Sequence, residues 1–329
     1  PMMGVGWEGR NEIEVEVEVF PNRPDMLSVE GLARAFVAFI GVKPGLRQYE
    51  AKPSDFFVAV DSKVSNVRPY IACAAAVNVE FTDDFIRSIM QVQEKLHVTH
   101  GRKRRKVAIG LHNLDVIRFP VYYTTKPNDF KFIPLGEERE MTLEEILDVH
   151  PKGKEYRWIL EGFDEYPIIL DAKGMVLSMP PIINSVHTML TEETRNVFFD
   201  VTGTDFKAVN EVLNILVTTF ADRGATIYKV RLKYPEGKVI ETPDLSIKVM
   251  EVPYDYVNKL LGLNLTNEQI ITLLERMGYG VVDGKNTAKV LIPCYRTDIM
   301  HPIDIVEDVA IAYGYDVFEP EIPNLATIG

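Results

Sequence analysis

The chain has 329 residues, 46% of them apolar and 26% charged, an ordinary balance for an ordered globular protein that sets aside collagen-like, disordered and coiled-coil architectures. Thirty-six basic against 48 acidic side chains give a formal charge of −12, so the overall field repels nucleic acid and any such contact has to come from a local patch. Cys73 and Cys294 carry no metal-ligand or disulfide spacing, which fits a reducing, cytoplasmic setting, and no apolar run reaches the roughly 18 residues of a membrane span.

The opening Pro1-Met2-Met3 reads as the start of a fragment. Residues 12–20 alternate Glu with Ile or Val, the period-two pattern of a strand with one buried and one wet face. Pro21-Asn22-Arg23-Pro24-Asp25 turns the chain, after which Leu32, Phe36, Phe39 and Ile40 recur at helical spacing until Gly41 stops the helix. This strand-turn-helix piece, residues 1–52, closes in Lys43-Pro44-Gly45 and Lys52-Pro53-Ser54.

Residues 53–242 carry short β-rich runs at 57–60, 72–79, 107–111, 168–170, 198–201 and 226–232. Two amphipathic helices interrupt them: one capped by Thr82 aligns Phe85, Ile89 and Leu96, and one starting near Asp205 aligns Phe206, Val209, Leu213, Leu216 and Phe220. More strands than helices, at irregular spacing, predict a mixed α/β sandwich rather than a doubly wound parallel sheet. Neither GxGxxG nor GxxxxGK[ST] is present, so no dinucleotide fold or P-loop is supported. Residues 243–329 begin a third unit. Thr266-x-x-Gln269 is a capping-box pattern opening a helix with Ile270, Leu273, Leu274 and Met277, a strand follows at 289–292, and Pro302 opens a last helix that Gly314 ends. The expected fold class is therefore multi-domain α+β: a mixed α/β sandwich followed by a small winged-helix-like module.

Three constellations could carry chemistry. Asp304, Glu307 and Asp308 share one face of the last helix, with Asp298 just upstream. They read either as a dipole-matched helix start or as a hard-cation site, since Mg²⁺ takes carboxylate oxygens and would remove their repulsion. Arg102-Lys103-Arg104-Arg105-Lys106 is a run of five cations, either a solvated loop or a nucleic-acid contact; His97 and His100 before it lack a third metal ligand nearby. Residues 177–185, with Pro180 and Pro181, form a rigid extended rim that holds Ser178 and Asn184. Asp200 and Thr202 share one strand face, and Gly203 after them leaves room for a ligand; read blandly, both are turn and cap residues for the helix at Asp205. No Ser-His-Asp or Cys-His arrangement is evident, and His187 and His301 read as surface or packing residues.

Taken together, Asn22-Arg23-Pro24-Asp25 with Ser28-Val29-Glu30-Gly31, the Gln93-Glu94-Lys95-Leu96 helix, Val107-Ala108-Ile109-Gly110, residues 177–184, Asp200-Val201-Thr202-Gly203 and residues 296–315 resemble the β subunit of phenylalanyl-tRNA synthetase of the archaeal and eukaryotic type, over essentially the whole chain. The resemblance implies an N-terminal remnant (1–52), a tRNA editing domain (53–242) and a winged-helix-like domain (243–329), with a catalytic-core-like domain beyond. It places aminoacylation, and the ATP it uses, on an α subunit, in a cytoplasmic assembly of two α and two β subunits that binds tRNA(Phe). The β editing domain would hydrolyse tyrosine-mischarged tRNA(Phe), with Ser178, Asp200 and Thr202 as its chemical groups, Ile169 and Asn184 completing the amino-acid pocket, and Asp298, Asp304, Glu307 and Asp308 as Mg²⁺ ligands. Such a division of labour is physically sensible: tyrosine is phenylalanine plus a hydroxyl, and an apolar pocket rejects that isostere by only about 10². Two rival readings remain at this stage, a non-catalytic tRNA-binding and subunit-assembly module and a metal-dependent hydrolase centred on Asp298 and Glu307.

Overall fold

The computed structural model describes residues 3–8 and 12–319; the opening Pro1-Met2 lies outside the described residues. The chain divides into two compact units, Pro1–Leu32 with Tyr49–Ser246 and Ala33–Gln48 with Ile247–Gly329.

The first unit is built on an 11-stranded mixed sheet. Its strands run in the order Ile183–Asn184, Val176–Met179, Glu165–Leu170, Val121–Pro127, Phe57–Val60, Thr226–Lys233, Tyr70–Val77, Asn196–Gly203 and Val107–Asn113, with Ala51–Lys52 and Val239–Thr242 also paired to Thr226–Lys233. Thr226–Lys233 runs parallel to Ala51–Lys52 and Phe57–Val60, and Phe57–Val60 parallel to Val121–Pro127; the other pairings are antiparallel. The expected mixed α/β architecture is thus the observed one.

Near-continuous apolar runs such as Tyr70–Val77 mark strands covered on both faces. On one side lie the helices Asp83–Val98 and Phe206–Asp222, begun by the predicted caps: Thr82 Oγ1 accepts from the Phe85 amide and an Asp205 carboxylate oxygen from the Ala208 amide. Phe220 packs between Phe85 and Phe199 in that layer. On the other side Val58, Ile71, Cys73, Tyr123, Leu177, Phe198 and Val230 form a core. The sheet curls so that strands distant in its order meet: Asn184 Nδ2 donates to the Leu111 carbonyl at 3.4 Å, and Ser178 Oγ donates to Asp200 at 3.2 Å.

Two expectations need correction here. Residues 177–185 do not form one extended rim; Val176–Met179 and Ile183–Asn184 pair antiparallel, Ser178 opposite Asn184, with the two prolines in the turn between them. The prolines act as a corner because neither can donate to a ladder. The glutamate-alternating run is a strand, Glu12–Val17 paired with Met3–Glu8, but Val15 on it is 51% exposed rather than buried.

In the second unit Lys248–Pro253, Thr287–Ile292 and Gly280–Val282 form a three-stranded antiparallel sheet, with Thr287–Ile292 central. Three helices, Tyr254–Leu261, Asn267–Arg276 and Pro302–Tyr313, share a core with it that includes Leu274, Tyr279, Val290, Ile305 and Val309. The Thr266–Gln269 capping box is formed in both directions, and Pro302 occupies the first helical turn as its missing N–H allows. Among the described residues no helix is long and apolar enough to cross a membrane.

Candidate active site

Asp200 lies mid-strand in Asn196–Gly203, directly opposite Cys73 on one neighbouring strand and Gly110 on the other. Period-two geometry puts it on the face of Phe198 and Thr202. Its Oδ2 accepts from Ser178 Oγ at 3.2 Å and lies 2.6 Å from His112 Nε2, while His112 Nδ1 is 2.8 Å from Thr188 Oγ1. All four side chains are buried, none more than 2% exposed. Gly110 is what makes the arrangement possible: a Cβ there would stand 2.3 Å from Asp200 Oδ2 and 2.7 Å from His112 Nε2. These bonds go to Oδ2, so among the described residues Oδ1 has no protein donor. A carboxylate offers about four acceptor positions on its two oxygens, and capacity therefore remains for a ligand.

Beside it, Arg68 is buried and donates Nε to Thr202 Oγ1 (2.9 Å), Nη2 to the Thr202 carbonyl (2.7 Å) and Nη1 to the Arg105 carbonyl (3.1 Å). Burial pulls Arg68 down to about 10, against the opposing pull of Tyr123 and Asp200, so it remains a cation at neutral pH. A guanidinium only donates, which makes Thr202 Oγ1 the acceptor and leaves its own proton for another partner. Burial, reinforced by the Asp200 charge, pushes the Cys73 thiol well up, so this neighbour is not a thiolate nucleophile.

Ser178, Asn184, Asp200 and Thr202 line one cleft of about 430 Å³, together with Pro180, Pro181 and the apolar Ile89, Ile109 and Met179. That volume is in the range, roughly 300–1,000 Å³, of small-ligand sites. The same cleft is lined by Glu94 and Arg104. Arg104 is buried, donates to the Ile182 carbonyl (2.9 Å) and to Glu94 (3.0 Å), and stacks over the Tyr156 ring at 4.3 Å. The hydrogen bond from His97 and the Arg104 charge hold Glu94 well below the usual carboxylate range. Burial pushes His97 down to about 4; its Nε2 accepts the Ile109 amide at 2.8 Å, which only the unprotonated nitrogen can do.

The other predicted residues are placed as follows. Ile169 is fully buried in the core, paired across the ladder with Ser178, and it does not line the cleft. The basic run divides: Arg102, Lys103 and Arg105 are exposed, Arg104 turns inward, and Lys106 pairs with Asp205 at 3.2 Å. Arg102, Lys103 and Arg104 all have positive φ (49°, 53° and 65°), a left-handed turn whose amides cap the Thr99, Val98 and His97 carbonyls. Gly203 is small for a different reason than ligand access, because a Cβ there would meet the Lys106 carbonyl at 2.4 Å. His97 and His100 face different partners, Glu94 and Glu211.

The four carboxylates of the second unit are not brought together as a ligand set. Arg296, itself buried, donates Nε and Nη2 to the two Asp298 oxygens (2.8 and 2.7 Å) and Nη2 to Asp308 (2.7 Å), which also accepts from the Tyr279 hydroxyl. Asp304 Oδ2 accepts from the Met300 and His301 amides as a helix cap, and Glu307 is exposed. Among the described residues no group of three or more His, Cys, Asp or Glu is placed to hold a metal ion. As arranged, these residues do not fit a cation within this chain.

Sequence reasoning missed His112, Thr188 and Arg68. The one available signal was in Val107–Asn113, where Gly110 and His112 alternate with Ile109 and Leu111, setting a glycine and an imidazole on the face opposite the large aliphatic side chains.

Comparison with known proteins adds an independent line. Residues 56–216 match a B3/4 domain model, and residues 250–315 match a tRNA synthetase B5 domain model. The chain is 48% identical over its whole length to a phenylalanine–tRNA ligase β subunit of Archaeoglobus fulgidus, covering 60% of that protein. It is 47% identical to the Pyrococcus furiosus β subunit over 94% of this chain and 56% of that one. It thus spans about 60% of the length of the curated relatives it matches. Among solved structures, it is similar to an N-terminal fragment of the phenylalanyl-tRNA synthetase β subunit from Pyrococcus horikoshii, with a TM-score of 0.90 at 45% identity, covering 95% of this chain and 90% of that one.

Proposed function

We propose a function from one premise: the chain belongs to the phenylalanine–tRNA ligase β-subunit family. On that reading it is part of a cytoplasmic synthetase that works with an α subunit carrying aminoacylation and ATP use. Its own cleft hydrolyses the ester of tyrosine on tRNA(Phe). The observation that carries the proposal is Asp200, a buried carboxylate on the cleft wall with one oxygen engaged by Ser178 and His112 and the other without a protein donor. A tyrosine side chain fits the apolar walls with its O–H donated to Asp200. Phenylalanine leaves that acceptor dry and unpaired, at a cost of about 1–3 kcal/mol.

In the hydrolysis Thr202, whose oxygen Arg68 already occupies as a donor, supplies its proton to orient a water or the substrate. Ser178 is not taken as the nucleophile: its proton goes to the same Asp200 carboxylate that receives the tyrosine hydroxyl, and no imidazole is hydrogen-bonded to it. Ser178, His112 and Asp200 are neighbours, but the carboxylate stands between the other two, the reverse of an activating Ser-His-Asp order. The exposed Arg102, Lys103 and Arg105 are the cations left to meet the tRNA backbone, while Arg104 shapes the cleft. No step is routed through magnesium, since Asp298, Asp304 and Asp308 are already engaged by Arg296, Tyr279 and backbone amides.

The test is cleavage of tyrosyl- and phenylalanyl-tRNA(Phe) by the assembled enzyme carrying Asp200→Ala. Tyrosyl-tRNA cleavage should fall and the preference for tyrosine should narrow; an unchanged preference refutes the assignment.

A further inference from the structure

Resting on that reading of the cleft, we propose that His112 is a positioning residue that makes Asp200 discriminate: it fixes the carboxylate so that Oδ1 is the acceptor left for a phenolic hydroxyl. The Thr188 hydroxyl has one proton and two acceptors within reach, His112 Nδ1 at 2.8 Å and the Leu177 carbonyl at 3.4 Å. A carboxylate oxygen only accepts, so Nε2 carries a ring proton toward Asp200 Oδ2 at 2.6 Å whichever of the two takes the Thr188 proton. Ser178 donates to the same oxygen. Two donors converging on Oδ2 hold the carboxylate plane, whereas the serine hydroxyl alone rotates and follows either oxygen.

Everything around the ring keeps it there. His112 is 0% exposed, packs on Phe198, and sits two residues from Gly110, whose missing Cβ leaves room for the His112–Asp200 bond. No nucleophile or leaving group is within its hydrogen bonds, since both ring nitrogens are occupied by Thr188 and Asp200. It therefore acts through Asp200 and not on the substrate.

The experiment measures kcat/KM for tyrosyl- and phenylalanyl-tRNA(Phe), using the full-length β subunit assembled with its α subunit. His112→Phe keeps a ring of similar size and removes both nitrogens; the tyrosine-to-phenylalanine ratio should fall about 10-fold or more, the scale of a lost hydrogen bond to a charged group. His112→Gln, which can donate from nearly the Nε2 position, should restore the ratio to within about 3-fold of wild type. Thr188→Val, which frees the ring tautomer without touching Asp200, should lower the ratio about 3-fold. Loss of packing alone slows both esters together and leaves the ratio where it was, so a folded His112→Phe enzyme with the wild-type ratio overturns the inference. If that variant does not fold, a wild-type ratio in Thr188→Val overturns it instead. A wild-type enzyme without any preference would bring down the editing reading itself, and this inference with it.

Discussion

Asp200 in the first unit and Asp298 with Asp308 in the second are buried or partly buried carboxylates, and the two sets differ in their partners and in what they face: Asp200 lies on a cleft wall, whereas Asp298 and Asp308 share the Arg296 guanidinium. Asp200 receives its protein donors on one oxygen and keeps the other. Asp298 has both oxygens taken by Arg296, and the same guanidinium shares Asp308 with Tyr279. Burial pushes the Tyr279 hydroxyl well up, so its proton stays in place as a donor. A cluster of acids is thus a poor guide to a site, and one acid with spare acceptor capacity on a cleft wall is a better one. The first arrangement lines a cleft; in the second Arg296 already supplies the positive charge that both acids need, and it ties the strand-to-helix segment at Arg296 to the helix Pro302–Tyr313.

The largest effect that separates the two is stability. Arg296→Leu strands Asp298 and Asp308 without their cation and should destabilise the second unit by about 3–5 kcal/mol, the cost of breaking a buried ion pair from one side. Urea unfolding of the variant checks this, and a loss under about 1 kcal/mol would mean that these acids are not consumed by the arginine.

A second difference is pH response. His97, near the cleft of the first unit, stays unprotonated in the fold down to about 4 but takes a proton near 6.5 in the unfolded chain. Its contribution is therefore complete above about pH 6.5 and is lost as the pH falls toward 4, by up to about 3 kcal/mol. Stability measured across that window should show the decline, and His97→Gln should flatten it. A wild-type curve that is level from pH 6.5 to 4 would contradict the Ile109 amide bond as the reason the ring stays unprotonated.

The smallest effect sharpens the division within the basic run. Arg102→Ala or Lys103→Ala should weaken tRNA binding by less than about 1 kcal/mol each and reduce the log–log salt slope by about 0.7–0.9, with no change in the tyrosine preference. Arg104→Ala should instead alter ester cleavage, since its guanidinium holds the Pro180-Pro181 turn through the Ile182 carbonyl. Equal salt slopes in all three variants would erase the distinction.

Much of the fold was legible because its signals are local. Thr82, Asp205 and Thr266 cap helices through bonds only three residues long, and the apolar run ending at Asp200 is a strand by any reading. What escaped was short or weakly patterned: the helices Leu143–Val149 and Pro151–Tyr156 are each too brief for a 3.6-residue period to show. In the cleft, Ser178, Asn184, Asp200 and Thr202 were found, whereas His112 and Arg68 were not. The reason is range: His112 meets Thr188 and Asp200 across 76 and 88 residues, and Arg68 meets Thr202 across 134. Strand pairing between segments far apart in the chain brings His112 to Asp200 and Arg68 to Thr202. Conversely Asp304, Glu307 and Asp308 looked like a site because helical spacing is visible in sequence, while the orientation of Arg296 toward two of the acids is not.

On the proposed reading, one oxygen of Asp200 distinguishes tyrosine from phenylalanine. The rates at which wild type and Asp200→Ala cleave tyrosyl- and phenylalanyl-tRNA(Phe) test it directly. Wild type should prefer tyrosine by about 10- to 100-fold, and the variant should lose about 10-fold of that preference or more. Equal rates on the two esters in wild type, or the same preference in both proteins, would contradict it.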